Sequence, residues 1–204
     1  PHETRRYESA YFWEERNRWF TDVWTDVTGE LQALPDDEGL RDRSAAFPFE
    51  IPYRLVNMYS VYGDTVLDPF WGTGTTSLAA MVAGRDSVGY ELEGEFHDFF
   101  ADRVVDLPAM SRRVVAERLR AHRAFVTSEG GELGYRADHY DLPVRTRQER
   151  GIRFYEVTDV ANGFDPDGGP GTDERTADAA PPAATYRVTH DPVECVGDVL
   201  DRAE

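Results

Sequence analysis

The chain has 204 residues, 39 acidic and 22 basic, for a formal net charge of −17; every basic residue is arginine and lysine is absent. Its length allows one domain with an ordinary core, and its single cysteine, Cys195, excludes a disulfide framework and a cysteine-built zinc site. The mean hydropathy is −0.58, and no apolar run nears the roughly 20 residues of a helical membrane span, so a soluble cytoplasmic protein is expected. Charge self-repulsion reaches about 10 Å at 0.1 M salt but only about 3 Å at 1 M, so this composition suits a halophile.

Residues 1–10 resemble no natural amino terminus, and Pro stands where Met is expected, so the sequence reads as the C-terminal piece of a longer chain. Tyr11, Phe12, Trp13, Trp19, Phe20 and Trp24 follow in one short stretch. They read as core, with stacking on a nucleobase as the other use. Pro35–Gly39 is a turn or exposed loop. Apolar residues at 51, 55, 58 and 59 have helical spacing, with Pro48 and Pro52 at its start, where a first turn tolerates them. Gly63-Asp64 turns into a short buried strand at Thr65-Val66-Leu67. A helix from about Thr75 stops at Gly84, and Ser87–Tyr90 is a second strand. Phe96, Phe99, Phe100 and Val104 mark a helix face ended by Pro108. A longer amphipathic helix covers 109–127, strands are expected near 142–146 and 152–157, and another near Tyr186–Thr189. Residues 161–184 have almost no large apolar side chains and are expected to be disordered. The centre therefore reads as a βαβ unit with parallel strands.

The chemistry concentrates in Val66-Leu67-Asp68-Pro69-Phe70-Trp71-Gly72-Thr73-Gly74-Thr75-Thr76 and in Gly89-Tyr90-Glu91. A strand runs into a glycine turn that lets backbone approach a ligand, then into a helix N-terminus. Glu91 ends the next strand, where an acid can bind a ribose diol. A P-loop needs a lysine at the helix start and is excluded. A dinucleotide fingerprint would place glycine where Ser77 stands. S-adenosylmethionine, with ribose, adenine and a charged methionine but no pyrophosphate, suits the layout.

Asp-Pro-Phe-x-Gly-x-Gly-Thr-Thr after a Val-Leu strand resembles the cofactor loop of amino-methylating DNA methyltransferases. Ser44–Pro52 is similar to the segment those enzymes place before that loop, and the order of segments resembles the permuted group in which the catalytic half comes first. The likeness spans about residues 44–105. Residues 11–29 and 109–157 are more loosely similar to haloarchaeal cytosine-N4 enzymes. The resemblance implies a three-layer α/β/α sandwich of the S-adenosylmethionine methyltransferase type. It puts Asp68, Phe70, Gly72 and Gly74 on the methionine side of the cofactor, Thr75 and Thr76 at the helix start, Glu91 on the ribose hydroxyls and Phe47 closing over the site. It implies methyl transfer to cytosine N4 of duplex DNA with the target base flipped out, with adenine N6 as the alternative, and a possible cognate restriction endonuclease.

The family's Asp/Asn/Ser-Pro-Pro-aromatic tetrapeptide is absent: the only Pro-Pro is Pro181-Pro182, flanked by alanines. No catalytic residue is therefore assigned; in the permuted order the tetrapeptide belongs before residue 1, and the piece alone is expected to be inactive. The resulting division is 1–43 as the end of a catalytic and target-recognising half, 44–108 as the cofactor core, 109–160 as a helix and hairpin extension, and 161–204 as an acidic, largely disordered tail. Rival readings are a nicotinamide oxidoreductase, a non-catalytic cofactor-binding subunit, and a methyltransferase acting on RNA or protein. Arg112, Arg113, Arg118, Arg120 and Arg123 form one positive island and Arg145, Arg147, Arg150 and Arg153 another, either a phosphate contact or a solvated face balancing acids. The five histidines show no ligand spacing, and no metal is expected.

Overall fold

The computed structural model describes residues 2–29, 47–163 and 185–203. The expected turn at Pro35–Gly39, the Ser44–Ala46 part of the segment before the loop, Pro181-Pro182 and most of the stretch expected to be disordered lie outside them. Two short helices, α1 (His2–Glu8) and α2 (Trp13–Trp19), come first. The Glu15 carboxylate accepts the Phe12 N–H at 2.8 Å, satisfying a donor at the start of α2. Helix α3 (Glu50–Tyr59) follows, with Pro52 in its first turn. Its buried face differs from the expected one: Tyr53, Val56 and Asn57 turn inward while Leu55 and Tyr59 are exposed. Tyr53 is drawn in by rings on both sides, 5.4 Å from Phe49 and 6.5 Å from Trp19.

Strand β1 (Thr65–Asp68) leads through a glycine loop into α4 (Thr75–Val82), then to β2 (Asp86–Gly89). β1 and β2 pair in parallel, Thr65 opposite Asp86 and Asp68 opposite Gly89, so the expected βαβ unit is present. Gly84, at φ +73°, follows α4 in the left-handed region that permits the reversal. Helices α5 (Glu95–Val105) and α6 (Leu107–Ser128) meet at Asp106. Pro108 does not end α5 as expected. It stands in the first turn of α6, where a missing N–H costs no helical bond.

Beyond α6 lies a small antiparallel pair, β3 (Tyr135–Arg136) with β4 (Pro143–Val144), then a 3₁₀ turn at Arg147–Gly151. Strand β5 (Tyr155–Asn162) pairs antiparallel with β6 (Tyr186–Pro192), and α7 (Val196–Arg202) follows. The expected strand at 142–146 is thus only the two residues of β4, and that at 152–157 begins at Tyr155. Order extends into the tail expected to be disordered: Ala161 and Asn162 continue β5, β6 outruns its expected end at Thr189, and Val199 of α7 is fully buried.

The long α6 divides the core. Its Leu107, Met110 and Val114 join α4, α5 and β5 around Leu78, Val82 and Phe100, while its Val115, Ala116 and Leu119 join Phe12, Ile152, Phe154 and Val199. The chain is of the α/β class. Among the described residues the parallel part is the β1–β2 pair, with α4 as its crossover.

Candidate functional site

The site is built where the two parallel strands end. The Tyr90 N–H donates to the Asp68 carbonyl and the Trp71 N–H to the Tyr90 carbonyl, each at 3.0 Å, which ties the loop after β1 to the end of β2. The Asp68 carboxylate accepts the Phe70 N–H at 3.1 Å, turning the chain sharply after Pro69 and leaving Phe70 89% exposed. Gly72 and Gly74 have φ of +53° and +73°. They are glycines for different reasons. A Cβ on Gly72 would meet nothing nearer than 4.0 Å, so this backbone faces open space a ligand can approach; a Cβ on Gly74 would lie 2.3 Å from the Phe100 ring.

Glu91 closes the arrangement. Its carboxylate accepts the Gly72 N–H at 2.7 Å, with the N–H groups of Leu92 and Glu93 at 2.8 and 3.0 Å. Burial opposes its charged form, yet the N–H groups of Glu93, Gly72 and Leu92, aided by His97, outweigh it and hold the carboxyl below its ordinary value. A carboxyl lowered on folding adds stability above its ordinary value of 4.5, and that stability is lost as pH falls through the folded value. A Glu91→Gln variant is therefore expected to lose less stability than the parent as pH drops below about 4.5. Denaturant midpoints measured across the acid range check this; superimposable acid limbs would show that the loop does not depend on the ionised carboxylate.

The loop also rests on residues that the motif does not single out. The Arg103 guanidinium of α5 donates to the Thr73 carbonyl at 2.8 Å and lies 3.2 Å from the Thr75 hydroxyl. The Thr73 and Thr75 hydroxyls are 3.2 Å apart, so buried Thr75 is engaged inside the loop rather than offered to solvent. Thr76, at the same helix start, is half-buried. Trp71 points inward, its indole N–H donating to Ser77 Oγ at 2.8 Å and its ring 4.7 Å from that of Phe100. Its position in the loop was legible in the sequence, its burial was not, and no sequence signal marks Arg103. The structure thus brings Asp68, Phe70, Gly72 and Glu91 together on one surface. No ring contact or hydrogen bond among the described residues joins half-exposed Phe47 to them.

The arginine islands divide. Arg118 is buried against Glu15 at 2.6 Å; Arg145, Arg150 and Arg153 pair with Glu129, Asp138 and Glu194. These serve structure. No group of three or more His, Cys, Asp or Glu among the described residues is placed to hold a metal ion. No described helix is long and apolar enough to cross a membrane.

A glycine loop between parallel strands, answered by an acid at the end of the next strand, is an arrangement that open α/β proteins use to hold cofactors. The family model for DNA methylases matches residues 1–102, and the chain belongs to that N6/N4 DNA methylase family. It is 52% identical over 150 residues to the type II methyltransferase M.MthZI of Methanothermobacter thermautotrophicus, covering 74% of this chain and 41% of that protein. It is 46% identical over 104 residues to M.MjaI of Methanocaldococcus jannaschii, covering 51% and 33%. The chain therefore spans less than half the length of these relatives. A Thermus thermophilus protein, solved as a complex with S-adenosyl-L-methionine, aligns over 52% of this chain and 38% of its own, at 36% identity and a TM-score of 0.44.

Proposed function

We propose that the chain holds S-adenosylmethionine at the carboxyl ends of β1 and β2 for methyl transfer to an exocyclic amine of a DNA base, cytosine N4 in preference to adenine N6. The observation that carries the reading is the bond from Gly72 to Glu91, which unites the two separated halves of the sequence motif in one surface cradle. The donor set fits the cofactor's charge. Two carboxylates, Asp68 and Glu91, and the exposed Phe70 ring face the surface, while Arg103 is engaged with the loop's own oxygens. A cation is favoured by acids and by a ring face.

When bound, S-adenosylmethionine supplies a methyl group on positively charged sulfur. Glu91 accepts hydrogen bonds from the ribose hydroxyls, Gly72 lets the backbone come close, Asp68 sets the turn on the methionine side, and Phe70 and Phe47 cover the cofactor against water. Thr75 supports this cradle from inside it, with Gly74 packed on Phe100, and Thr76 stands beside them at the helix start. Rate then arises from alignment of amine, methyl and sulfur. The groups that hold the target amine come from polypeptide outside these 204 residues, in keeping with the absent Pro-Pro-aromatic tetrapeptide, and the chain alone is inactive. The preference for cytosine rests on the looser similarity of residues 11–29 and 109–157. The permuted order, a cognate restriction endonuclease and a high-salt cytoplasm belong to the same reading, supported by the type II names of the relatives and the acidic, lysine-free composition.

Asp68→Ala and Glu91→Ala are each expected to weaken S-adenosylmethionine binding at least about tenfold, the scale of a lost hydrogen bond to a charged group. Calorimetric titration measures it. Unchanged affinity in both variants, or tighter binding of a nicotinamide dinucleotide by the parent, would reject the assignment. Nucleoside analysis of methylated duplex DNA then separates N4-methylcytosine from N6-methyladenine.

A further inference from the structure

A second cleft lies at the opposite end of the parallel strands. It has a volume of about 630 Å³, and its walls include Tyr7 of α1, Trp13 of α2, Tyr11 from the link between them, Tyr59 from the end of α3, and Arg6 and Arg16. The residues from Tyr59 to Asp64 precede β1 in the chain, so this cleft is at the amino ends of the strands and the glycine loop is at their carboxyl ends.

Three features set this cleft apart. Two of its rings are open, Tyr59 at 74% and Tyr7 at 43% exposed, and the Phe20 ring beside its rim is 43% exposed. They form a run, with Phe20 centred 5.6 Å from Tyr11 and 6.3 Å from Tyr59, and the Arg16 guanidinium 5.9 Å from the Phe20 ring. Its arginines are unspent. Arg6 and Arg16 have no carboxylate partner among the described residues, whereas Arg18, Arg54, Arg118, Arg145, Arg150 and Arg153 all do. Its acids are spent inward. Glu149 accepts the N–H groups of Trp13 and Thr146 and the Thr146 hydroxyl, and Asp64 accepts the Val61 N–H. In a chain of net charge −17, two exposed, unpaired arginines beside open rings form a local site for an anion that carries flat apolar faces. Charge repulsion from the rest of the chain is screened beyond about 10 Å at 0.1 M salt.

We infer that this cleft binds a single strand of nucleic acid, with bases stacked on Tyr59, Phe20 and Tyr7 and phosphates on Arg6 and Arg16. The choice of nucleic acid over another anionic partner rests on the DNA reading above. The contact is separate from the cofactor cradle, so it anchors a strand away from the reacting base and adds affinity without sequence readout.

Anisotropy of a labelled oligothymidylate, titrated with the full chain over a range of salt, tests this. The Arg6→Gln/Arg16→Gln double variant is expected to bind at least about tenfold more weakly, with the salt slope reduced by about 1.4, two phosphate contacts at about 0.7 each. Tyr59→Ala is expected to bind at least about fivefold more weakly. All three side chains are exposed, so the fold and the binding of S-adenosylmethionine stay intact in these variants, whereas Glu91→Ala loses the cofactor and keeps the oligonucleotide. That pattern separates failure of the cleft from failure of the cradle. Oligonucleotide affinity unchanged in both variants would overturn the inference, as would displacement of the oligonucleotide by oligoglutamate at equal charge concentration, which would make the cleft a site for acidic protein.

Discussion

Replacing Trp71 by alanine is expected to lower the stability of the fold by about 3–5 kcal/mol, the range for emptying a buried large aromatic position. Trp71 is 9% exposed and is held from four directions: its indole N–H bonds to Ser77, its ring meets Phe100 and His97, and it lies under Gly89. The contact with Gly89 is close enough that a Cβ there would fall 2.1 Å from the indole. Trp71 thus pins the glycine loop to β2 from below while Glu91 ties it from above. Two further variants separate packing from hydrogen bonding. Trp71→Phe keeps most of the ring but leaves Ser77 without that partner, an expected loss of about 1–3 kcal/mol. Gly89→Ala is expected to be disruptive in the parent and much milder beside Trp71→Ala, because the clash partner is then gone; the two effects are non-additive in that direction. Urea unfolding of the parent, the three single variants and the Trp71→Ala/Gly89→Ala double variant measures this. A Trp71→Ala cost below about 1 kcal/mol, or simple additivity with Gly89→Ala, would place the indole outside the packed core.

The second large effect is at Arg118 and Glu15. Their 2.6 Å pair joins α6 to α2, with the side chains 9% and 2% exposed, and the guanidinium lies 4.8 Å from the Phe154 ring. Burial disfavours the charged Arg118, but the Glu15 carboxylate outweighs it and holds the pKa well above the ordinary value. Arg118→Ala strands a buried carboxylate and is expected to cost about 3–5 kcal/mol. Glu15 keeps the Phe12 N–H as a donor, so the charge, rather than an unfilled hydrogen bond, is the larger part of that cost. Removing both charges in Glu15→Gln/Arg118→Met is expected to recover most of it, since glutamine still accepts from Phe12 and methionine fills the guanidinium stem's space. If the double variant is no more stable than Arg118→Ala, packing of the arginine stem, rather than ion pairing, holds the two helices together.

These two positions show how one composition serves different ends. The positive island on α6 contains Arg118, whose neighbours in sequence gave no sign that it faces Glu15, 103 residues away. Arg6 and Arg16 sit among acids in the sequence yet have none as a partner among the described residues of the fold. Charge in this chain is organised by tertiary placement.

The sequence by itself determined the local frame. The glycine turn after Asp68, the helix from Thr75, the parallel partner strand and the acid at its end follow from short-range rules: hydrophobic runs of strand length, positive-φ glycines and helix termini. These rules act within a few residues, so β1, α4 and β2 were readable almost residue by residue. The tertiary structure decided what those residues face. Period alone could not choose the buried side of α3, because Leu55 and Tyr59 are as apolar as Tyr53 and Val56; the rings of Trp19 and Phe49 made the choice. Polar composition beyond residue 161 concealed α7 and the extension of β6 past Thr189, which gain order by packing on α6 and pairing with β5. Gly74 and Gly89 owe their identity to Phe100 and Trp71, and Thr75 is engaged by Arg103, contacts between residues far apart in the chain or turned toward each other only by the fold. Burial and charge pairing are properties of such contacts, and only the folded chain contains them.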